Sequence, residues 1–313
     1  MPLLTGVVCD TKYLKHETGN HPESAQRLTA IYTYLKTKGV HKSIKKIKPY
    51  PAPLDVIQYI HTQSYIDSVK SISTCGGGML DLDTVVSPET YDTALLAAGG
   101  MLAAVDAVIN GTVKNAFCLI RPPGHHALPE RGMGFCIFNN IAIAARYIQK
   151  KYSLQRIAIV DWDVHHGNGT QFAFYSDPSV YYFSTHQFPH YPGTGNSGET
   201  GSNEGIGFTM NVPLLPGADI QAFEDAFEKH FIPAIKKFNP DFILISSGFD
   251  AHADDPLAQL YLQTEDYYLL TKLLISCAHD ICNGRIVSTL EGGYNLDALK
   301  RSAHAHLSAL MEA

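Results

Sequence analysis

The sequence has no excess of basic residues. Its 24 lysines and arginines are outnumbered by 30 aspartates and glutamates, for a net charge of −6. A nucleic-acid-binding surface normally needs a basic excess, so no direct nucleic-acid partner is expected. No apolar run reaches membrane-spanning length, and the opening MPLLTGVVCDTKYLK lacks the basic, apolar, small order of a secretory signal. No membrane association is expected either. The six cysteines (Cys9, Cys75, Cys118, Cys136, Cys277 and Cys282) form no CxxC pair and no regular framework. That usage predicts reduced thiols in a cytoplasmic protein. Low-complexity tracts, internal repeats and Pro/Ser-rich linkers are missing as well, which predicts a single domain over 1–313.

What the chain does contain is 45% hydrophobic and 17% charged residues, enough apolar side chain for a sizeable globular core. Apolar strand-like runs at 116–120, 156–162, 180–185, 242–248 and 286–293 alternate with helical patterns at 89–110, 138–151, 220–238, 264–282 and 296–311. Continuous apolar strands separated by helices predict an α/β fold with a mostly parallel central sheet flanked by helices. The Gly-, Pro-, Ser- and Asn-rich stretch 186–209 reads as a long functional loop.

Four of these strands end in polar chemistry. AFCLI runs into RPPGHH, RIAIV into DWDVHH, FILISSG into FDAHADD, and IVSTL into EGGY. Ligands of open α/β sheets bind outside the carboxyl ends of the strands, so these four ends are expected to share one crevice. The histidine doublets alone decide nothing, since 15 histidines in 313 residues give roughly 0.7 adjacent pairs by chance. Their surroundings do. Asp163 and His165 stand two apart at an extended strand end, on the same side of the chain, and make a partial site for a divalent metal such as zinc. Asp250 is the natural third ligand, leaving an open position for water. His166 points away and reads as structural. His125 and His126, after the rigid Pro122-Pro123-Gly124 turn, suit a place beside a metal-bound water, one as proton acceptor and one as charge stabiliser. Tyr294, after Gly292-Gly293, suits an oxyanion donor. Taken singly, each residue has a plain alternative: a helix cap for either aspartate, a structural donor for the histidine, a packed aromatic for the tyrosine. Only the constellation argues for a site. HETGNH at 16–21 is not a zinc-protease motif, because its histidines are five apart and Gly19-Asn20 would break the helix.

The chain resembles the histone deacetylase superfamily, which includes acetylpolyamine amidohydrolases and acetoin-utilisation proteins. The matching stretches are HPES..R at 21–27, RPPGHH, GMGFCIFNN at 132–140, VDWDVHHGNGT at 160–170, STH at 184–186, PGTG at 192–195, SSGFDAHADDPL at 246–257 and LEGGYN at 290–295. They follow the family's order over nearly the whole chain. Asn168, where class I members carry aspartate, makes it similar to class II and bacterial class II-like members. The resemblance implies an arginase-like α/β fold and zinc held by Asp163, His165 and Asp250. It implies His126 as general base and acid, His125 as its electrostatic partner, Asp161 orienting His125, and Asn168 contacting His126. Tyr294 would polarise the acyl carbonyl. Gly134, Phe135 and Tyr191 would wall an acyl-lysine channel, the tyrosine standing where the family has phenylalanine. Asp83 would be the rim carboxylate that holds substrate backbone amides, and Arg27 would line an inner acetate cavity. A potassium ion would be held by Asp161, Ser184 and backbone carbonyls of Asp163, His165 and Thr185.

The implied activity is hydrolysis of the acetyl amide of Nε-acetyl-lysine in proteins or peptides. Leu257 stands where a polyamine-selective relative has glutamate, which favours acyl-lysine; an acetylated polyamine is the alternative substrate. A manganese ureohydrolase shares the fold but should bring more carboxylates than Asp250 followed by Ala-His. A non-catalytic acyl-lysine binder would be expected to have lost a ligand, the base or the tyrosine. The 186–209 loop could line a channel rim or a homo-oligomer interface.

Overall fold

A computed structural model describes residues 4–313. Among the described residues ten strands are formed: β1 Thr5–Val8, β2 Ile44–Ile47, β3 Gly78–Met79, β4 Val85–Val86, β5 Ala116–Cys118, β6 Ile157–Asp161, β7 Val180–Gln187, β8 Thr209–Leu214, β9 Phe242–Ser247 and β10 Ile286–Leu290. Between them lie α1 Ala25–Thr37, α2 Leu54–Ile57, α3 Gln63–Thr74, α4 Thr90–Ile109, α5 Asn140–Tyr152, α6 Asn168–Phe174, α7 Ile220–Asp225, α8 Ile232–Phe238, α9 Thr264–Cys282 and α10 Leu296–Met311.

Eight strands make one sheet in the order β2-β1-β5-β10-β9-β6-β7-β8, and every pairing in it is parallel. Every residue of β5, β6, β7, β9 and β10 is buried, as expected of strands covered on both faces. The α/β architecture and the mostly parallel sheet are therefore as the sequence predicts. The sheet order carries the functional consequence. β5, β10, β9 and β6 are consecutive neighbours, so the four polar strand ends lie side by side along one rim.

The helices begin and end where local chemistry dictates. Asn139 and Asn295 cap the first turns of α5 and α10 with their side-chain oxygens. Gln263 and Asp266 form a capping box on α9, and Asn283 closes that helix in the left-handed conformation. The predicted helix 220–238 is α7 and α8 joined by a wider π-type segment, Ala226–Phe231. Pro233 lacks the amide hydrogen a regular helix needs there, which suits a local change of winding. The predicted loop is shorter than 186–209, because β7 runs to Gln187 and β8 starts at Thr209.

One expectation needs correction. α4, 20 residues long, is long and apolar enough to cross a membrane. It is instead buried inside the protein, between α5 and the sheet, as a helix apolar on all sides must be when it serves as core.

Candidate active site

The loops after β6 and β9 bring Asp163, His165 and Asp250 together. One ligand-type atom from each lies within 4.8 Å of the others, and all three residues are buried. His165 Nδ1 is 3.1 Å from Asp163 Oδ1 and 3.3 Å from Asp250 Oδ2. Those separations match the edge, about 3.3 Å, of a tetrahedron with ~2 Å metal–ligand bonds. Neighbouring backbone fixes the carboxylates. Asp163 accepts from the amides of His165 (2.9 Å) and Gly292 (2.8 Å), and Asp250 Oδ1 accepts from Val164 N at 2.9 Å. The other oxygen of Asp250 is buried with no hydrogen-bond partner. Burial, and then the charge of Asp163, raise the Asp250 pKa to about 7. An orphaned carboxylate oxygen facing an imidazole is what a cation would satisfy, so the three residues fit a metal. Burial opposes charge on His165, but the Asp163 and Asp250 carboxylates, 3.1 Å and 3.3 Å from its Nδ1, override this and raise its pKa to about 10. A bound cation would take the place of that proton.

The RPPGHH loop after β5 sets two imidazoles beside this cluster, their centroids 4.0 Å apart. His125 Nδ1 donates to Asp161 Oδ2 at 3.0 Å, since a carboxylate can only accept, and its Nε2 lies 3.8 Å from Asp163 Oδ1. Burial opposes its charge; the Asp163 and Asp161 carboxylates outweigh burial and raise the pKa to about 10. His126 is different. Its Nδ1 donates to the amide oxygen of Asn168 at 2.7 Å, leaving Nε2 as a free acceptor. Burial, then the charges of His125 and His165, hold its pKa well below the usual value. One histidine is thus kept charged and its neighbour neutral, the division a charge stabiliser and a base require.

The remaining candidates group around this floor. Phe135 packs edge-on against Tyr294 (5.7 Å) and Tyr191 against His126 (5.2 Å). Gly134 and Phe135 both have positive φ, 57° and 69°, and the Phe135 amide donates to Thr84 Oγ1 at 3.1 Å. A bulky residue held in that region is local strain of the sort found where a side chain must be aimed. Asp83 sits in the β3–β4 hairpin, where His21 Nε2 meets its carbonyl at 3.1 Å. Leu257 follows Asp250 in the β9 loop, its amide donating to Asp255 Oδ1 at 3.0 Å. Arg27 is fully buried, its guanidinium 5.0 Å from the Tyr294 ring and bonded to the carbonyls of Gly293 and Glu291. Asp161 and Ser184 are register partners on β6 and β7, and Thr185 carries a buried hydroxyl with no partner. His166 turns away to Thr194 Oγ1 (2.7 Å) and Gln171 Oε1 (3.0 Å), tying down the long loop.

Sequence reasoning assigned nothing to three residues. Glu291, buried, accepts from the amides of Gly124 (2.8 Å) and His125 (3.3 Å) and from the Ser246 hydroxyl (3.2 Å). Asp255 receives the amide of Tyr294 at 2.7 Å. His190 lies 5.2 Å from His165 with a buried, unpartnered Nδ1. An acidic residue closing an apolar strand was a usable signal for Glu291. Asp255 and His190 sit in polar loops where nothing in the sequence singles them out.

Three residues that fit a cation, beside a histidine pair at the carboxyl ends of parallel strands, make the arrangement of a hydrolase centre of the α/β class. The profile of the histone deacetylase domain matches residues 21–310, and the chain belongs to the histone deacetylase family. It is 42% identical over 298 residues to the probable deacetylase of Archaeoglobus fulgidus, covering 94% of this chain and 82% of that one. It is 39% identical over 278 residues to the histone deacetylase-like amidohydrolase of Pseudomonas aeruginosa, covering 88% and 73%. The crystal structure of the HDA15 HD domain superposes with a TM-score of 0.94 at 38% identity, over 99% of this chain and 90% of that one.

Proposed function

We propose that the protein hydrolyses the acetyl amide of Nε-acetyl-lysine, releasing acetate and the free amine, with a zinc ion held by Asp163, His165 and Asp250. When bound, the metal supplies Lewis acidity at the acyl carbonyl and acidifies water near neutral pH. The observation that carries this reading is the unequal histidine pair. His126 presents Nε2 next to the ligand cluster, its Nδ1 fixed by the Asn168 amide oxygen, and His125 beside it donates to the Asp161 carboxylate at 3.0 Å. His126 takes the proton of the attacking water and returns it to the departing lysine nitrogen. The charge of His125 and the hydroxyl of Tyr294 stabilise the oxyanion as it develops. Phe135 and Tyr191 flank the aliphatic part of the acyl-lysine, and Asp83 meets the substrate backbone. A potassium ion held by Asp161, Ser184 and the backbone carbonyls of Asp163, His165 and Thr185 would serve structure; Asp161 and Ser184 are register partners on adjacent strands. Asn168 supports kinship with the class II branch.

Acetylated polyamine is the second substrate reading, favoured by one feature: Asp81 and Asp83 place two carboxylates in the same hairpin, which would attract a cationic chain. The test is to measure bound metal, then assay acetate release from an acetyl-lysine peptide and from N-acetylputrescine. Release from the peptide is expected, and release from acetylputrescine alone would favour the second reading. Release from neither with zinc bound would overturn the deacetylase assignment. In the same assay Tyr294→Phe should keep its zinc and lose on the order of 10²–10³ in kcat.

A further inference from the structure

The tyrosine read above as the oxyanion donor stands on a backbone that would not hold it still. It follows two glycines, and Gly293 has φ 121°, a conformation open to glycine and to few others. Precise placement must come from contacts elsewhere. Before the tyrosine, Gly292 N donates to Asp163 Oδ2 at 2.8 Å, and Arg27 donates to the carbonyls of Glu291 and Gly293. After it, Asn295 Nδ2 donates to the Asp254 carbonyl at 3.0 Å, and at the tyrosine's own amide the fastening comes from one side chain. Asp255 Oδ2 accepts from the amides of Tyr294 (2.7 Å) and Asn295 (3.4 Å).

The same carboxylate has a second attachment. Its Oδ1 accepts from Leu257 N at 3.0 Å. Asp255 therefore bridges two loops: the one after β9, which carries Asp250 and Leu257, and the turn after β10, which carries Tyr294. It is only 6% exposed, so its charge is desolvated and offset by these three amides. The chemistry of the bridge needs a carboxylate. Two acceptor oxygens serve N–H groups on opposite sides, whereas an amide would offer one acceptor and turn an NH₂ toward a donor.

We propose that Asp255 is a positioning residue for the hydrolysis, holding the Tyr294 hydroxyl in reach of the scissile carbonyl and locking its turn to the loop of Leu257. The inference rests on the oxyanion role read for Tyr294. Displacing a reacting group by about 1 Å can cost on the order of 10² in rate, so loosening the turn should act on kcat.

The experiment compares four zinc-loaded proteins on an acetyl-lysine peptide: wild type, Asp255→Asn, Tyr294→Phe and the double variant. Zinc content, thermal midpoint and amide hydrogen exchange over 291–296 are measured on each. Asp255→Asn is expected to lose about 10- to 10²-fold in kcat with KM within about threefold, to keep its zinc, and to exchange faster at 294 and 295. In the Tyr294→Phe background the same change should cost less than about twofold, because the group it positions is already gone. Equal losses in both backgrounds, a loss confined to KM, or unchanged exchange would overturn the proposal. A Tyr294→Phe variant with wild-type kcat would instead overturn the oxyanion reading on which it rests. Should Asp255→Asn fail to fold, Asp255→Glu, which keeps both acceptor oxygens on a longer arm, carries the same four-way comparison.

Discussion

A Cβ built on Gly134 would stand 2.9 Å from Cγ of His126 and 3.0 Å from the Tyr191 hydroxyl, on a backbone with φ 57°. The base and the channel wall both lie against this glycine's bare face. Alanine there must either tilt the imidazole off its bond to Asn168 or unwind the turn that aims Phe135. Gly134→Ala is expected to lower kcat on acetyl-lysine peptide by on the order of 10², with destabilisation held to about 1–3 kcal/mol. Steady-state kinetics beside a denaturation curve would check this, and wild-type kcat would refute the packing argument. The same neighbourhood shows what could be read without a fold. Asp163, His165 and Asp250 are recognisable because each is a polar residue closing an apolar strand. Asp255 received no role because its own exists only after two loops distant in sequence are brought together; Glu291 closes an apolar strand as the ligands do, but what it holds is visible only in the fold. Their oxygens accept amides from residues 39 and 167 positions away.

Elements are joined by a buried ionic knot that no local pattern reveals. Glu23, just before α1, accepts from Arg121 at the end of β5 and from Arg27 on α1, and faces His16 at 3.5 Å. Arg121 in turn donates to the carbonyls of Tyr13 (3.2 Å) and His16 (3.1 Å). One carboxylate thus fastens the 11–16 segment and α1 to the root of the RPPGHH loop, and Arg27 extends the connection to the Tyr294 turn. Glu23→Ala would leave two guanidinium groups buried without a counter-charge, and should destabilise the fold by about 3–5 kcal/mol. Denaturant titration would measure it; a change under 1 kcal/mol would show that water or another group replaces the carboxylate. The HPES..R stretch was visible, yet its partner Arg121 is 98 residues away. The long elements were legible for the opposite reason. α9 and α10 carry their own caps and periodicity, and β6, β9 and β10 are unbroken apolar runs. β2, IKKI, is a four-residue edge strand with two exposed lysines, and β1 has only four residues. Strands that short carry too little pattern to be found before their neighbours are known.

Over the whole molecule, burial of histidine governs the response to acid. Nine histidines (His16, His61, His126, His166, His186, His190, His252, His304 and His306) have pKa values lowered in the folded state, in each case chiefly by burial. His306 is representative: its two ring nitrogens meet the hydroxyls of Thr271 (2.6 Å) and Ser288 (2.7 Å) in the core, and its pKa falls to about 3. His61 and His166 fall to about 4 and His186 to about 3. In the unfolded chain each takes up a proton near pH 6.5. Between about pH 6.5 and 4 the unfolded state therefore binds more of these protons, and stability must fall as pH falls. Asp250 and Glu291, both raised to about 7 chiefly by burial, act in the opposite sense, as do Asp83, Asp161, Asp255 and Asp266, also raised chiefly by burial, but six carboxylates do not balance nine imidazoles. The net slope in the metal-free protein should exceed about 1.4 kcal/mol per pH unit, the value for a single proton. The zinc-loaded protein should lose stability faster still, since protons compete with the metal for His165. Urea unfolding of both forms at pH 7.5, 6.5, 5.5 and 4.5 would test this. His306→Gln, which removes one titrating group from the core, should flatten the dependence by about one proton. A stability that holds level from pH 7 to 5 would mean that the buried imidazoles take up protons in the native state as readily as in the unfolded one.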